Sequence, residues 1–242
     1  MPIADLAERF LEEFHRNQIP GKQDMESFLE YEKAAGNICY RVVNYEKNKD
    51  QLQNMPHRKI LDLALIYYYR MEHFMEHTAS VLIFDDHMKR WSVTEQQLYE
   101  RAKKNTCLAL PPKLAGILQV IQELDENSDW IKDDMEFCEN ERMYVLTNQE
   151  KYFGAVCILY PGVAQSIAES FSNNFYILPS SIHECIIVPD SGQLIPQELK
   201  ELVQDVNCQC VEEEEILSDH IYYYDRRQHK IRLVQTEEEL FL

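Results

Sequence analysis

The fold is decided by residues 175–188, which read FYILPSSIHECIIV. Two short apolar runs, Phe175–Leu178 and Cys185–Val188, are separated by a polar connection that begins with Pro179. Runs of β-branched and aromatic residues bounded by Pro and Ser are typical of β-strands. A parallel crossover needs a dozen or more residues, so this connection is too short for one and predicts an antiparallel pair.

The same reasoning assigns most of the remaining chain to strands and helices. Further strands are predicted at Ile38–Val43, His57–Arg70, Ala79–Phe84, Met143–Thr147, Gly154–Leu159, Ile221–Tyr224 and Ile231–Val234. Helices are predicted within residues 1–37, from Thr94 to Asn105, from Pro112 through Ile121, from Val163 to Phe171 and around Leu199–Val206. This order predicts an α+β fold with a largely antiparallel or mixed sheet, which is packed by several helices and preceded by an N-terminal helical segment.

One helix start carries a specific signature. In VTEQQL, residues 93–98, Thr94 is the predicted N-cap, and the side chain of Gln97 can bond back to the Thr94 backbone. Val93 and Leu98 occupy the hydrophobic-staple positions, so we expect a well-defined start at this point.

Length and composition indicate a folded chain of one or two domains. The chain has 242 residues, of which 45% are hydrophobic and 11% aromatic, enough to build a core and to exclude disorder over the whole length. We predict a single α+β domain over residues 1–242, with N-terminal helices in residues 1–37. The acidic residues 125–141 form the only candidate for an internal boundary.

The charge balance restricts the partners. The chain has 42 Asp and Glu against 24 Lys and Arg, which gives a net charge of -18. Lys and Arg drive binding to nucleic-acid backbones and to anionic membranes, so neither direct nucleic-acid binding nor membrane binding is predicted. Residues 190–242 alone have 13 acidic and 5 basic residues, which favours a basic protein as the partner.

The N-terminus and the cysteines both indicate the cytoplasm. Residues 1–10, MPIADLAERF, have neither the basic region nor the apolar region of a signal peptide. Apolar runs such as Leu63–Tyr69 are far shorter than the roughly 20 residues that span a bilayer. Seven cysteines without framework spacing suit a reducing compartment.

The densest polar cluster among the C-terminal strands is PSSIHE, residues 179–184. A serine hydroxyl can act as a nucleophile, a histidine as its base and a carboxylate as the group that orients the histidine. Asp219 and His220, an acid beside a potential base further along the chain, could join them. The candidate catalytic residues are Ser180, Ser181, His183, Glu184, Asp219 and His220. Neighbours in sequence rarely reach this geometry, so the competing interpretation is a polar loop whose hydroxyls satisfy backbone donors.

A second pattern, HFMEH at residues 73–77, matches the His-x-x-Glu-His motif of inverted zincins. In that chemistry His73 and His77 would bind zinc and Glu76 would activate water. The motif falls between two predicted strands rather than inside a long helix, so we interpret it as an exposed turn without a metal. The sequence has neither a Walker loop nor a Gly-x-Gly-x-x-Gly motif, and no cofactor is predicted.

The run FGAVCILY, residues 153–160, predicts a strand that is buried on both faces near the middle of the sheet. Gly154 and Ala155 would admit a close neighbour, and Cys157 would be an inert core thiol. The alternative is a Cys157 nucleophile activated by His183, which requires exposure of the thiol and contact between the two side chains.

Several strings, taken in order, carry a resemblance. They are VNYEKNK (43–49), LDLA (61–64), MYVLTN (143–148), FGA (153–155), ILYPG (158–162), LPSSIHE (178–184), LSDH (217–220) and YYY (222–224). In this order they resemble a family of uncharacterised proteins, a domain of unknown function, found in anaerobic Gram-positive gut bacteria. The resemblance extends from about residue 38 to residue 234. It implies a small intracellular bacterial α+β protein and supplies no activity.

Three functions are compatible with these observations. The leading hypothesis is a non-enzymatic cytoplasmic binding or interaction protein, because the surface is acidic and no motif completes a catalytic set. The alternative is a hydrolase-like enzyme centred on Ser180, Ser181, His183 and Glu184. The third is an acidic mimic of nucleic acid, which would need carboxylates spaced along one face like phosphates.

Overall fold

A computed structural model describes residues 26–71, 79–124, 143–179 and 181–235. In these ranges the chain forms two compact units. The first contains the described residues of 1–40, 54–56 and 67–106, and the second contains those of 41–53, 57–66 and 107–242. One domain over residues 1–242 stays a prediction, and its candidate boundary at 125–141 lies outside the described residues. Residues 1–25 of the predicted N-terminal helical segment also lie outside them.

Helices and strands follow the predicted class. The strands are β1 (Ile38–Asn44), β2 (His57–Ile60), β3 (Leu63–Met71), β4 (Ala79–Leu82), β5 (Pro112–Gly116), β6 (Tyr144–Asn148), β7 (Phe175–Leu178), β8 (Cys185–Pro189), β9 (Tyr222–Asp225) and β10 (Lys230–Leu233). The helices are α1 (Tyr31–Ala34), α2 (Lys49–Leu52), α3 (Asp85–Trp91), α4 (Glu95–Ala109), α5 (Ile117–Leu124), α6 (Val163–Phe171), α7 (Pro196–Cys210) and a 3-10 helix (Gly154–Leu159). Antiparallel sheets packed by helices confirm the α+β fold class.

The strands form two sheets. A four-stranded sheet has the order β1-β3-β2, and β4 also pairs with β3. A six-stranded sheet has the order β10-β9-β7-β8-β6-β5, and all of its neighbours are antiparallel. The predicted pair of Phe175–Leu178 with Cys185–Val188 is confirmed as β7 and β8, with Ile177 opposite Ile187. The predicted strands Ile221–Tyr224 and Ile231–Val234 are confirmed as β9 and β10, which pair as a hairpin.

In the first unit, aromatic side chains pack around Trp91. The Phe28 ring meets the Trp91 ring edge to face at 5.1 Å, and the Trp91 indole N–H donates to the Phe28 carbonyl at 3.1 Å. The start of α4 is confirmed as predicted. The Thr94 N–H donates to Gln97 Oε1 at 2.9 Å, and the Gln97 N–H donates to Thr94 Oγ1 at 3.3 Å. These reciprocal bonds satisfy backbone donors that the first helical turn leaves open.

In the second unit, helices pack on one face of the six-stranded sheet. α7 places Leu199 and Val203 against Tyr176, Leu178 and Val188 in a buried apolar cluster. Because side chains alternate along a strand, the intervening residues of β7 and β8 lie on the opposite face. There Ile177 and Ile187 are almost fully buried. The sheet is therefore buried on both faces along these central strands.

The prediction of one strand over His57–Arg70 is wrong. The chain instead forms a hairpin in which Ile60 is opposite Leu63 and the turn consists of Leu61 and Asp62. Leu61 has a φ of 57°, the left-handed conformation that a tight turn requires. The alternating apolar pattern continues through this turn, and its one turn-favouring residue is Asp62, a weaker signal than Gly or Pro.

The prediction of a strand at Gly154–Leu159 is also wrong, although its burial is confirmed. These residues form the 3-10 helix, and Ala155, Val156 and Cys157 are fully buried. Phe153, with a φ of 55°, turns the chain just before the helix. A continuous apolar run indicates burial but does not distinguish a buried strand from a buried helix.

The helix predicted to begin at Pro112 begins later. Residues Pro112–Gly116 form β5, and α5 starts at Ile117. β5 is the last strand of the six-stranded sheet, and Pro is tolerated in an edge strand because no partner needs its missing N–H. The sheet edge therefore accommodates a residue that otherwise favours the first turn of a helix.

Candidate functional site

The predicted serine cluster forms the connection between β7 and β8. The Ser181 hydroxyl donates to Glu184 Oε1 at 2.8 Å. Ser181 Oγ also accepts the backbone N–H of His183 at 3.0 Å and that of Glu184 at 3.3 Å. Ser180 lies outside the described residues. Ser181 therefore closes a local turn through bonds of the kind that serine hydroxyls make to nearby backbone.

The ring of His183 is occupied by other partners. Its Nδ1 accepts the backbone N–H of Phe153 at 3.2 Å, and its Nε2 lies 3.2 Å from Glu215 Oε1. In a neutral imidazole the nitrogen that accepts cannot also carry the proton, so Nε2–H donates to Glu215. The ring also stacks on Phe153, with the centroids 5.8 Å apart. The ring nitrogens of His183 thus contact Phe153 and Glu215 rather than the Ser181 hydroxyl.

A second polar cluster, which the sequence did not reveal as a whole, surrounds Asp62. Its Oδ2 accepts the Ser218 hydroxyl at 2.5 Å and lies 3.2 Å from His220 Nδ1. Its Oδ1 accepts the hydroxyl of Tyr222 at 2.6 Å. Asp62 comes from the β2–β3 turn, Tyr222 from β9, and the other two residues from the segment just before β9. We call these four residues the Asp62 cluster.

Burial and hydrogen bonding set the charges in the Asp62 cluster. Burial raises the pKa of Asp62, but hydrogen bonds from His220, Ser218 and Tyr222 outweigh it, and the net pKa falls below 3.8. Burial, and then the charge of Asp62, raise the pKa of Tyr222. At neutral pH Asp62 is therefore ionised and Tyr222 is protonated. The carboxylate can then accept, and the hydroxyl can donate, the hydrogen bond between them.

Asp219 and His220 are neighbours in sequence but bond to different partners. Asp219 Oδ1 accepts the side-chain amide of Asn207 at 2.8 Å, and the same amide donates to the Ser218 carbonyl at 3.0 Å. His220 instead pairs with Asp62, which lies 158 residues earlier. The buried Ser218 hydroxyl also accepts the His220 N–H at 3.0 Å. This arrangement can orient the imidazole and fix the segment that precedes β9.

The predicted metal and cysteine candidates have different outcomes. His73, Glu76 and His77 lie outside the described residues. Among the described residues, no group of three or more His, Cys, Asp or Glu side chains could hold a metal ion. Cys157 is fully buried, and burial raises its pKa to about 12, which agrees with the predicted core thiol.

In the described ranges, helices that combine the length and apolar character needed to cross a bilayer are absent.

The outward face of α7 combines acidic and apolar side chains. Glu198, Glu201 and Asp205 are exposed, and Leu202 between them is 43% exposed. Glu198 and Asp205 are four and three residues from Leu202, so all three lie on one helix face. The run Glu212–Glu214 continues the exposed acidic surface beyond the helix. We call Glu198, Glu201, Leu202 and Asp205 the α7 face.

An apolar groove of about 560 Å³ lies beside the α7 face. Its apolar lining comes mainly from Met143, Phe171, Val188, Leu194, Leu199 and Leu202. Leu202 belongs to both surfaces, so the α7 face borders the groove at this residue. Its volume lies within the roughly 300–1,000 Å³ typical of ligand pockets.

No curated protein and no solved structure matches the chain. A match to a protein family extends over residues 1–226, most of the 242 residues. That family has no assigned activity, in agreement with the resemblance that the sequence strings carry. The chain therefore belongs to the family of unknown function DUF5688.

Proposed function

We propose that the chain is a non-enzymatic binding protein of the bacterial cytoplasm and that its partner is a basic, amphipathic protein segment. The observation that carries this proposal is the α7 face, where three exposed carboxylates surround an exposed leucine at the rim of an apolar groove. An amphipathic helix with basic residues on one side and apolar residues on the other would complement both features.

Charge and shape act differently in such a complex. The net charge of -18 attracts a basic segment over a distance, and the α7 carboxylates determine the position at which the segment binds. The groove then receives apolar anchors, which supply most of the affinity at an interface. Exposed carboxylates contribute mainly to the rate and specificity of association.

The hydrogen bonding of the predicted catalytic candidates also favours a binding role. Ser181 closes its own turn, His183 bonds to Phe153 and Glu215, and Asp219 accepts from Asn207. These bonds give each of the three side chains a structural role. The hydrolase-like alternative and the nucleic-acid mimic stay predictions.

Binding of a defined peptide tests the proposal. The probe is a fluorescein-labelled amphipathic helix of Leu and Lys, about 14 residues long, and fluorescence anisotropy reports its affinity at low and moderate salt. We expect Glu201→Lys/Asp205→Lys to weaken binding about tenfold or more, and Leu202→Glu to weaken it at both salt concentrations. Glu32→Lys/Asp50→Lys is the matched control, because it makes the same charge change at exposed positions elsewhere.

The comparison of the two double variants decides the outcome. Equal losses in both would show attraction to net charge alone and would contradict a site on α7. Binding that does not weaken as salt rises would contradict the role of the carboxylates. A natural partner is then sought by affinity capture from lysate, with the wild-type chain and the α7 double variant compared side by side.

A further inference from the structure

A cleft of about 310 Å³ lies on the six-stranded sheet beside α5. Its floor is a row of three side chains in register across three strands: Ala115 of β5, Val145 of β6 and Ile186 of β8. Val120 of α5 forms an apolar wall. This half of the cleft therefore offers only hydrocarbon to a bound molecule.

The next row of the sheet makes the other half of the cleft polar. Lys113 and Thr147 are opposite each other on β5 and β6, two residues along from the apolar row. Glu184, just before β8, ends this polar row. Adjacent strands are about 4.8 Å apart, so the Lys113 and Glu184 ends of this lining are separated by roughly 10 Å.

Two ammonium groups converge at the Lys113 end. Glu123 of α5 lies 3.3 Å from Lys113 Nζ through Oε1 and 3.2 Å from Lys151 Nζ through Oε2. Hydrogen bonds from Lys151 and then Lys113 lower the pKa of Glu123, so its carboxylate is charged. One carboxylate between two lysines leaves one excess positive charge at this end of the cleft, and Glu184 has the balancing negative charge at the other end.

We propose that this cleft binds a small organic carboxylate with a short aliphatic body. The carboxylate would lie against Lys113 and Lys151, which have ammonium donors beyond those that Glu123 accepts. The aliphatic body would lie over Ala115, Val145 and Ile186. Glu184 repels an anion from the opposite end, so the ligand binds in one orientation.

Size and chemistry both limit the ligand. The volume of the cleft is at the lower end of the roughly 300–1,000 Å³ range of small-molecule pockets, which favours a small ligand over a long lipid. Both lysines are partly exposed, so the attraction is screened by salt and an inorganic anion without an apolar body would bind weakly. The site is distinct from the proposed α7 surface, because the two share no lining residue.

Pentanoate is the probe, and pentanamide and acetate are its matched controls. Saturation-transfer NMR and titration of the labelled full chain give the affinity. We expect a dissociation constant on the order of 1 mM for pentanoate, and binding at least about tenfold weaker for the neutral amide and for acetate. Saturation transfer should be stronger at the terminal methyl group than at the methylene next to the carboxylate.

Two variants identify the site. Lys113→Gln/Lys151→Gln should weaken pentanoate binding about tenfold or more, whereas Lys33→Gln/Lys49→Gln removes two exposed, ion-paired lysines elsewhere and should leave it unchanged. Val120→Trp should block the cleft while its charges remain. Equal binding of pentanoate and pentanamide, equal losses in both lysine variants, or undisturbed binding in Val120→Trp would each overturn the proposal.

Discussion

The hydroxyl of Tyr222 donates a 2.6 Å hydrogen bond to Oδ1 of Asp62, which lies 160 residues earlier in the chain. Asp62 belongs to the turn of the β2–β3 hairpin and Tyr222 to β9 of the six-stranded sheet. Both residues are part of the second unit. The bond therefore joins two elements of that unit that are far apart in sequence, through an ionised and mostly buried carboxylate.

Replacing Asp62 should destabilise the second unit. Asp62→Ala would leave the hydroxyls of Ser218 and Tyr222, both buried, without their acceptor. We expect the free energy of unfolding to fall by about 2–4 kcal/mol, because buried polar groups that lose their partner cost about 1–3 kcal/mol each. Urea denaturation followed by circular dichroism measures this. Asp50→Ala, at an exposed position, should change it by less than about 0.5 kcal/mol, and an equal effect of both variants would contradict the structural role.

The contribution of Asp62 should disappear in acid. Its pKa is lower in the folded chain than the ordinary value of 3.8, so the ionised form is stabilised by folding. Stability from such a group is present above its unfolded pKa and is lost as the pH falls through the folded pKa. The difference in free energy of unfolding between wild type and Asp62→Asn should decrease as the pH falls from about 5 toward about 3.

The same measurement in a His220→Gln background separates the carboxylate from the histidine. The decrease below about pH 5 should be smaller there, because Asp62 keeps the bonds from Ser218 and Tyr222 but loses the bond from His220, the largest of those that lower its pKa. With His220 present, a difference that instead grows as the pH falls would mean that folding favours the protonated carboxyl, contrary to the lowered pKa.

Local patterns made most of the fold predictable. The short, apolar strands β7 and β8 and the reciprocal bonds of Thr94 and Gln97 depend on residues close in sequence. The β2–β3 turn and the 3-10 helix were missed. Leu61 and Phe153 adopt positive φ, but neither is the Gly or Asn that would indicate such a conformation in the sequence. Tertiary packing, rather than propensity, holds these backbone conformations.

The candidate site was less predictable than the fold. The cluster at Ser181 was visible because its members are contiguous in sequence. The side chain that bonds to His183, however, is that of Glu215, which lies outside this cluster. The Asp62 cluster depends on a contact over 158 residues. His220 was a predicted candidate, and all four members lie in strings that carry the family resemblance, but nothing in these strings indicates that Asp62 bonds to the other three. The spacing of residues along the chain does not indicate which of them meet in a contact of this kind.

Gly154 should tolerate no side chain. A Cβ atom at this position would lie 2.6 Å from the His183 carbonyl oxygen and 2.7 Å from the Asn148 backbone nitrogen, both too close for non-bonded contact. Backbone atoms cannot move aside as a flexible side chain can. We expect Gly154→Ala to lower the free energy of unfolding by about 3 kcal/mol, at the upper end of overpacking effects.

Gly36 provides the matched control, since a Cβ there meets nothing within 4 Å. Gly36→Ala should be neutral or should stabilise the chain by about 0.4–1 kcal/mol, because alanine restricts the unfolded chain. Thermal and urea unfolding of the two variants test the pair. A small effect of Gly154→Ala would show that the 3-10 helix shifts away from β6, and hydrogen exchange at Asn148 would then increase.

Thiol reactivity should separate the cysteines into two groups. Cys157 is fully buried and burial raises its pKa to about 12, so at pH 8 only about one thiol in 10⁴ would be the reactive thiolate. Cys185 is 1% exposed, and burial raises its pKa as well. Cys208 and Cys210 at the end of α7 are exposed.

We therefore expect iodoacetamide at pH 8 to alkylate Cys208 and Cys210 at least about 10³ times faster than Cys157 and Cys185 in the folded chain. Peptide mass spectrometry over a time course measures each site, and labelling in denaturant provides the control in which the differences vanish. Cys208→Ser/Cys210→Ser should then leave a folded chain whose Cys157 resists alkylation. Rapid modification of Cys157 in that variant would mean that its thiol reaches solvent, and the nucleophile hypothesis for Cys157 would replace the core interpretation.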